Sequence, residues 1–144
     1  MTRARALLIA ALVAHALGWA LPVIDDYRGV HAFRVALSPL WPYEQFHIPS
    51  GRLVYLSVAS AATNLVFAVV AIAELAGAVR TRSRQRLAVW TVGACALLNL
   101  HWTLTMGDSA SGLRAGYFVW IASFVLLLLA VHPALSPRPP QSVG

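Results

Sequence analysis

Six side chains of this 144-residue chain combine chemical capacity with apolar surroundings: His15, Ser60, Asn64, Glu74, Asn99 and His101. Polar or ionisable groups inside long apolar runs are costly, and they mark ion paths, proton relays or contacts between helices. A carboxylate such as Glu74 can relay protons or hold a cation. Two histidines on separate helices, such as His15 and His101, can ligate a haem if they sit at matching heights. Amides and hydroxyls, as at Ser60, Asn64 and Asn99, can cross-link helices, each bond contributing on the order of 1 kcal/mol. Which chemistry applies depends on the elements that position these groups.

Those elements are four apolar runs at about residues 6–24, 52–79, 87–106 and 113–132. A hydrocarbon core about 30 Å thick needs about 20 helical residues, so each run can span a membrane. Helices satisfy their own backbone groups in lipid, which makes the expected fold class all-α, a four-transmembrane-helix bundle. Composition agrees: 59% of residues are hydrophobic and 11% charged, with a mean hydropathy of +0.69. A soluble domain carries roughly 25% charged residues, so a water-soluble enzyme is excluded. The single cysteine, Cys95, excludes an internal disulfide and any cysteine-cluster metal site.

Every basic residue is an arginine, and their distribution sets the orientation. Arg3, Arg5, Arg80, Arg82, Arg84, Arg86 and Arg138 fall on one side; Arg28, Arg34, Arg52 and Arg114 fall on the other, with Asp25, Asp26, Glu44 and Asp108. The positive-inside bias predicts both termini in the cytoplasm of a cell with a bacterial inner membrane. The basic loop TRSRQR is accounted for by topology and anionic lipid, without nucleic acid. The first run also has the basic start and small residues of a signal peptide. Its length and its ladder of Ala6, Ala10, Ala14 and Gly18, suited to close helix packing, predict a retained span.

The largest extramembrane segment is the outer loop at about residues 25–51. Val30, Phe33, Leu37 and Leu40 recur there at helical intervals up to Pro39 and Pro42, predicting a short amphipathic interfacial helix. Trp41, Tyr43 and Phe46 follow as interfacial aromatics. This helix acts as a surface anchor or, alternatively, as a lid over a site opening outward. Residues 133–144 form a proline-rich tail.

Within the spans, Ser57, Ser60, Asn64, Ala71, Glu74 and Ala78 share one stripe of the second run. Ala88, Val92, Cys95, Asn99 and Trp102 share one of the third. Asn64 lies about 18 Å in from Arg52 and Asn99 about 10 Å in from Met106, which predicts an amide pair joining the two helices. Glu74 lies about 9 Å before Arg80, near the cytoplasmic boundary, where it serves either structure or a proton path. His15 and His101 differ in estimated depth, against a shared haem. Asp25, Asp26, His31, His47 and Asp108 are metal-ligating types without a recognised spacing. No cofactor is predicted. The serines Ser57, Ser60, Ser109, Ser111 and Ser123 lack a base at convincing spacing. Gly112 and Gly116 form a GxxxG pair at the start of the last run, where Gly116 relieves crowding at Tyr117 or Trp120.

The stretches SPLWPYEQF, TNLVF, LLNLHW and GYFVWIASFVLLLLA, with a basic middle loop, resemble small uncharacterised bacterial four-span integral membrane proteins. That resemblance covers most of the chain and carries no activity or catalytic residues to transfer. Vitamin K epoxide reductases differ in having a CxxC pair, and small multidrug exporters in having a glutamate in the first span. The sequence thus predicts a non-enzymatic structural or accessory membrane protein. Its partners are the lipid bilayer and either a second copy or another membrane protein. The alternatives are a small transporter or channel subunit lined by Ser60, Asn64, Glu74 and Asn99, and a membrane redox or metal enzyme using outer His and Asp residues.

Overall fold

The computed structural model describes residues 2–43, 51–79, 81–105 and 112–132. Among them are five helices and one small hairpin: α1 (Arg3–Ala20), β1 (Pro22–Ile24), β2 (Tyr27–Arg28), α2 (Gly29–Ala36), α3 (Arg52–Leu75), α4 (Arg82–Thr105) and α5 (Ala115–Val131). Three helices are long and apolar enough to cross a membrane: α1, α3 and the stretch Arg82–Leu104 of α4. At 17 residues, α5 is apolar but shorter.

The helix ends depart from the apolar runs for local reasons. Thr2 caps α1, its hydroxyl accepting from the Arg5 N–H. Instead of continuing to residue 24, α1 stops at Ala20, because Pro22 drives Leu21 into extended backbone. Pro22–Ile24 then pairs antiparallel with Tyr27–Arg28. Asp25 turns the hairpin at φ 47°, a left-handed conformation that aspartate tolerates better than most residues. The hairpin is stitched to the approach to α5: Asp25 N–H donates to the Gly112 carbonyl (2.7 Å) and Arg114 N–H to the Val23 carbonyl (3.0 Å). Leu113 belongs to this bridge, so α5 begins at Ala115 rather than 113.

At its far end α3 stops at Leu75, short of residue 79. The Gly77 and Ala78 N–H groups close onto the Glu74 and Ala73 carbonyls (3.0 and 2.8 Å), the pattern of a Schellman motif. In turn α4 starts five residues before the apolar run, absorbing Arg82–Arg86 of the basic loop. Arg84 donates to the Ala78 carbonyl (3.0 Å), placing a cation where the α3 dipole favours one. The expected amphipathic helix is present as α2, ending at Ala36 with turns continuing to Leu40. After it, the Arg34 guanidinium lies 3.6 Å over the Trp41 ring. Of the expected interfacial aromatics, Phe46 lies outside the described residues, as do Glu44, His47, Asp108 and the tail.

Packing centres on α5, which lies chiefly against α1, then α4; α3 packs on α4, and α2 rests on α3 and α1. Gly18, the last member of the small-residue ladder, lets α1 approach α5 closely, whereas Ala10 is exposed. A Cβ on Gly18 would come 2.7 Å from Trp120 Cβ and 3.0 Å from its Cα. Gly116 admits the chain leaving α1: a Cβ there would come 2.5 Å from the Pro22 carbonyl oxygen and 2.9 Å from that of Leu21. Two apolar clusters result. The larger, built on Phe67, Val92, Phe124, Leu127 and Val131, fills the half toward the arginines. The smaller joins Val23, Leu113 and Tyr117 at the end capped by the hairpin and α2. Large apolar side chains also face outward, among them Leu65, Val69, Trp90, Leu97 and Phe118. An exposed apolar belt of this kind calls for an apolar environment.

Candidate functional site

The polar residues of α3 and α4 meet in the capped half of the bundle. Ser60 Oγ, about 12 Å along α3 from Arg52, donates to Asn99 Oδ1 (2.6 Å) and accepts from Trp102 Nε1 (3.2 Å). Asn99 Nδ2 donates to Thr63 Oγ1 (2.9 Å), whose own hydroxyl donates to the Ser60 carbonyl (2.6 Å). Tyr117 of α5 donates its hydroxyl to the Asn99 backbone carbonyl (2.8 Å). Ser60, Thr63 and Asn99 are all buried, Asn99 completely. Their proximity follows from spacing: Ser60 and Thr63 lie one turn apart on α3, facing the α4 stripe that carries Asn99 and Trp102.

The predicted amide pair does not form. Asn64 instead accepts from Trp120 Nε1 (3.0 Å) and donates to the Ala61 carbonyl of its own helix (3.0 Å). Asn99 meets the two hydroxyls first, and Asn64, further round α3, faces α5. Each amide therefore fastens α3 to a different neighbour.

A second link joins α1 to α5. His15 Nδ1 lies 3.0 Å from Ser123 Oγ, and that hydroxyl donates to the Trp120 carbonyl (2.6 Å). The serine proton is thus committed, and His15 must donate from Nδ1, an assignment that follows from the network. The imidazole stacks on Phe67 at 3.8 Å between centroids, the ring planes nearly parallel. A serine beside a histidine suggests a nucleophile and its base. Here the hydroxyl points away from the imidazole and Ser123 is completely buried, the reverse of an activated nucleophile.

The remaining candidates stand apart. His101 Nδ1 donates to the Leu98 carbonyl within α4, and its ring lies against Trp102 at 4.5 Å. Glu74 sits in the last turn of α3, about 21 Å along the axis from Ser60. Among the described residues no three of His, Cys, Asp and Glu come together as a metal would require. The structure therefore gathers Ser60, Asn64 and Asn99 into one layer, ties His15 to a neighbouring point and leaves Glu74 and His101 outside it.

Above that layer lies a cavity of about 380 Å³. Its walls come from α1, the hairpin, α3, α4 and α5, and α2 closes it with Ala32, Phe33 and Ala36. Trp19, Trp102, Tyr117 and Trp120 present aromatic surface, while Ser57, Ser60 and Asn64 line one side. Ser57 Oγ donates to the Val54 carbonyl (2.9 Å) and keeps its lone pairs. Asp25 is the only charged group among the described lining residues.

Thr63, Trp102, Tyr117, Trp120 and Ser123 complete the site without having been singled out as site residues. The aromatic members carried a usable signal: an indole N–H or phenol O–H in an apolar span must find an acceptor, and the nearby amides and hydroxyls supply it. The chamber had no such signal, because it depends on where α2 docks.

Compared with family models, curated proteins and solved structures, the chain matches none. The resemblance to small four-span proteins therefore rests on layout alone.

Proposed function

We propose that the chain is a four-span integral membrane protein, a non-enzymatic accessory component of the bacterial cytoplasmic membrane with both termini on the cytoplasmic side. Three helices of spanning length support the first part, and the course of α5 supports the fourth span. It starts beside the hairpin, and its last residues, Ala130 and Val131, lie in the same cluster as Val79 and Ala88 near the arginines. Its 17 residues extend about 26 Å, close to the hydrocarbon thickness. Arg3, Arg5, Arg82, Arg84 and Arg86 belong to the helix ends away from the hairpin, the asymmetry expected of a cytoplasmic face.

One observation carries the accessory reading: the polar side chains bond to one another in a single layer, while the other half of the bundle is closed by Phe67, Val92, Phe124 and Leu127. Hydroxyls and amides spent in this way hold helix register. A transport path would have to pass the apolar plug between Asn64 and Glu74, which disfavours the channel alternative. An accessory protein works through lateral contact, with a second copy or another membrane protein on its outward helix faces.

Three measurements test this. Full-length protein in liposomes is expected to pass protons, sodium and potassium no faster than empty vesicles; flux above that background overturns the reading. Crosslinking in intact membranes is expected to give one defined oligomer or heteromer, and recovery of monomer alone overturns it as well. Reporter fusions at the two termini are expected to give cytoplasmic signal from both.

A further inference from the structure

We propose that the chamber beneath α2 is a binding site for one neutral, lipid-soluble molecule that carries aromatic rings and a carbonyl or hydroxyl group. This goes beyond the accessory role and does not depend on it.

Size comes first. Protein interiors pack as tightly as organic crystals, and voids larger than a water molecule are few. An engineered apolar cavity of about 150 Å³ already admits benzene. At about 380 Å³ the chamber falls in the range of small-molecule sites, about 300–1,000 Å³. Lining atoms that face such a space have no packing partner until it is occupied. Water is a poor filler, since most of the wall offers it no hydrogen bond.

The lining then selects the occupant. Trp19, Phe33, Trp102, Tyr117 and Trp120 surround the space with flat faces and edges, which pair well with other rings in offset or edge-on geometry. Beside Asp25 of the hairpin and the Tyr117 hydroxyl, polar capacity comes from α3. Asn64 uses one amide hydrogen on Ala61 and one carbonyl lone pair on Trp120, so one donor and one acceptor site remain. Ser57 adds an acceptor about two turns away. A carbonyl or hydroxyl on the ligand would satisfy these groups. With Asp25 the only charge among the described lining residues, nothing there compensates an anion, and a neutral molecule avoids desolvation of charge.

Access is from the α2 side. This helix has eight residues, none of them fully buried, and is held by the Gly29 N–H bond to the Leu21 carbonyl (3.1 Å) and the Trp19–Phe33 ring contact (5.0 Å). A short element with no fully buried side chain opens at lower cost than the long helices it rests on.

Benzophenone, a neutral two-ring ketone that labels nearby C–H bonds on irradiation, is a direct probe. With the full chain in lipid nanodiscs, the expected result is saturable labelling at one adduct per chain. Peptide mapping should place it on α2 and on the 57–64 stretch of α3. Ala36→Trp fills the chamber from its α2 wall while leaving every residue of the polar layer unsubstituted, and is expected to cut labelling at least tenfold with an unchanged melting midpoint. Diphenylmethane, which lacks the carbonyl, should compete at least fivefold less well than unlabelled 2-acetylanthracene, a planar ketone, and Asn64→Leu should narrow that difference. Labelling that never saturates, that spreads over outward residues such as Leu65, Val69 and Leu97, or that survives Ala36→Trp overturns the proposal. So does crosslinking that finds a second copy of the chain seated in the chamber.

Discussion

Replacing Asn99 with alanine removes the side chain that joins α3 to α4 through two hydrogen bonds, one accepted from Ser60 at 2.6 Å and one donated to Thr63 at 2.9 Å. Interhelical hydrogen bonds in membrane proteins average about 0.6 kcal/mol and reach about 1.7 kcal/mol, because the separated helices also find partners. The loss of two such bonds therefore costs about 1–3 kcal/mol. Within that range the partners differ. The Ser60 hydroxyl, once released, can turn to a carbonyl of its own helix, which moderates its share. Thr63 already donates to the Ser60 carbonyl, so it loses only a donor to its lone pair. The appropriate assay is reversible unfolding in bicelles for the parent, Ser60→Ala, Asn99→Ala and the double variant. The cycle should return a coupling energy of about 0.6–1.7 kcal/mol between the two positions. A coupling indistinguishable from zero, or an Asn99→Ala protein as stable as the parent, would falsify the claim that this layer holds the helices in register.

Four further substitutions probe other parts of the fold. Gly18→Ala drives a methyl group against the backbone of Trp120, which cannot swing aside, and should lower stability by about 1–3 kcal/mol; Ala16→Leu, on the exposed side of α1, should change it by less than about 0.5 kcal/mol in the same melts. Phe67→Ala removes the ring that stacks on His15 and meets Phe124 edge-on at 5.3 Å, with an expected loss of about 3–5 kcal/mol in bicelle unfolding. Glu74→Gln, beyond the apolar plug, should shift stability by less than about 1 kcal/mol and leave proton leak in vesicles at the parent's level; a changed leak rate would restore the proton-path reading.

The small-residue ladder of α1 shows how far a pattern can be read. Ala6, Ala10, Ala14 and Gly18 announce a smooth face, and at Gly18 that face does meet a neighbour closely. Which neighbour is a different question. Nothing in the spacing distinguishes α5 from α3 or α4, and the choice of Trp120 rests on how the whole bundle packs. The stripe of Ala88, Val92, Cys95, Asn99 and Trp102 is similar: each of its first four members is buried, yet the partners of Asn99 are two hydroxyls rather than the other amide.

Periodicity and transfer energy act within one stretch of chain. For that reason the helical class, three helices of spanning length, the amphipathic α2 and the inward stripe of α4 follow from the residues alone. Pairings act between stretches far apart in the chain, and these belonged to the tertiary structure. The hairpin at Pro22–Ile24 exists because residues 112–114 supply its missing backbone partners, and a one-dimensional hydropathy profile reads the same residues as more helix. Likewise Asn64 finds Trp120, His15 finds Ser123, and a chamber opens where α2 closes over aromatic side chains from three other helices. A void is a property of what several elements leave unfilled together, so no single segment encodes it.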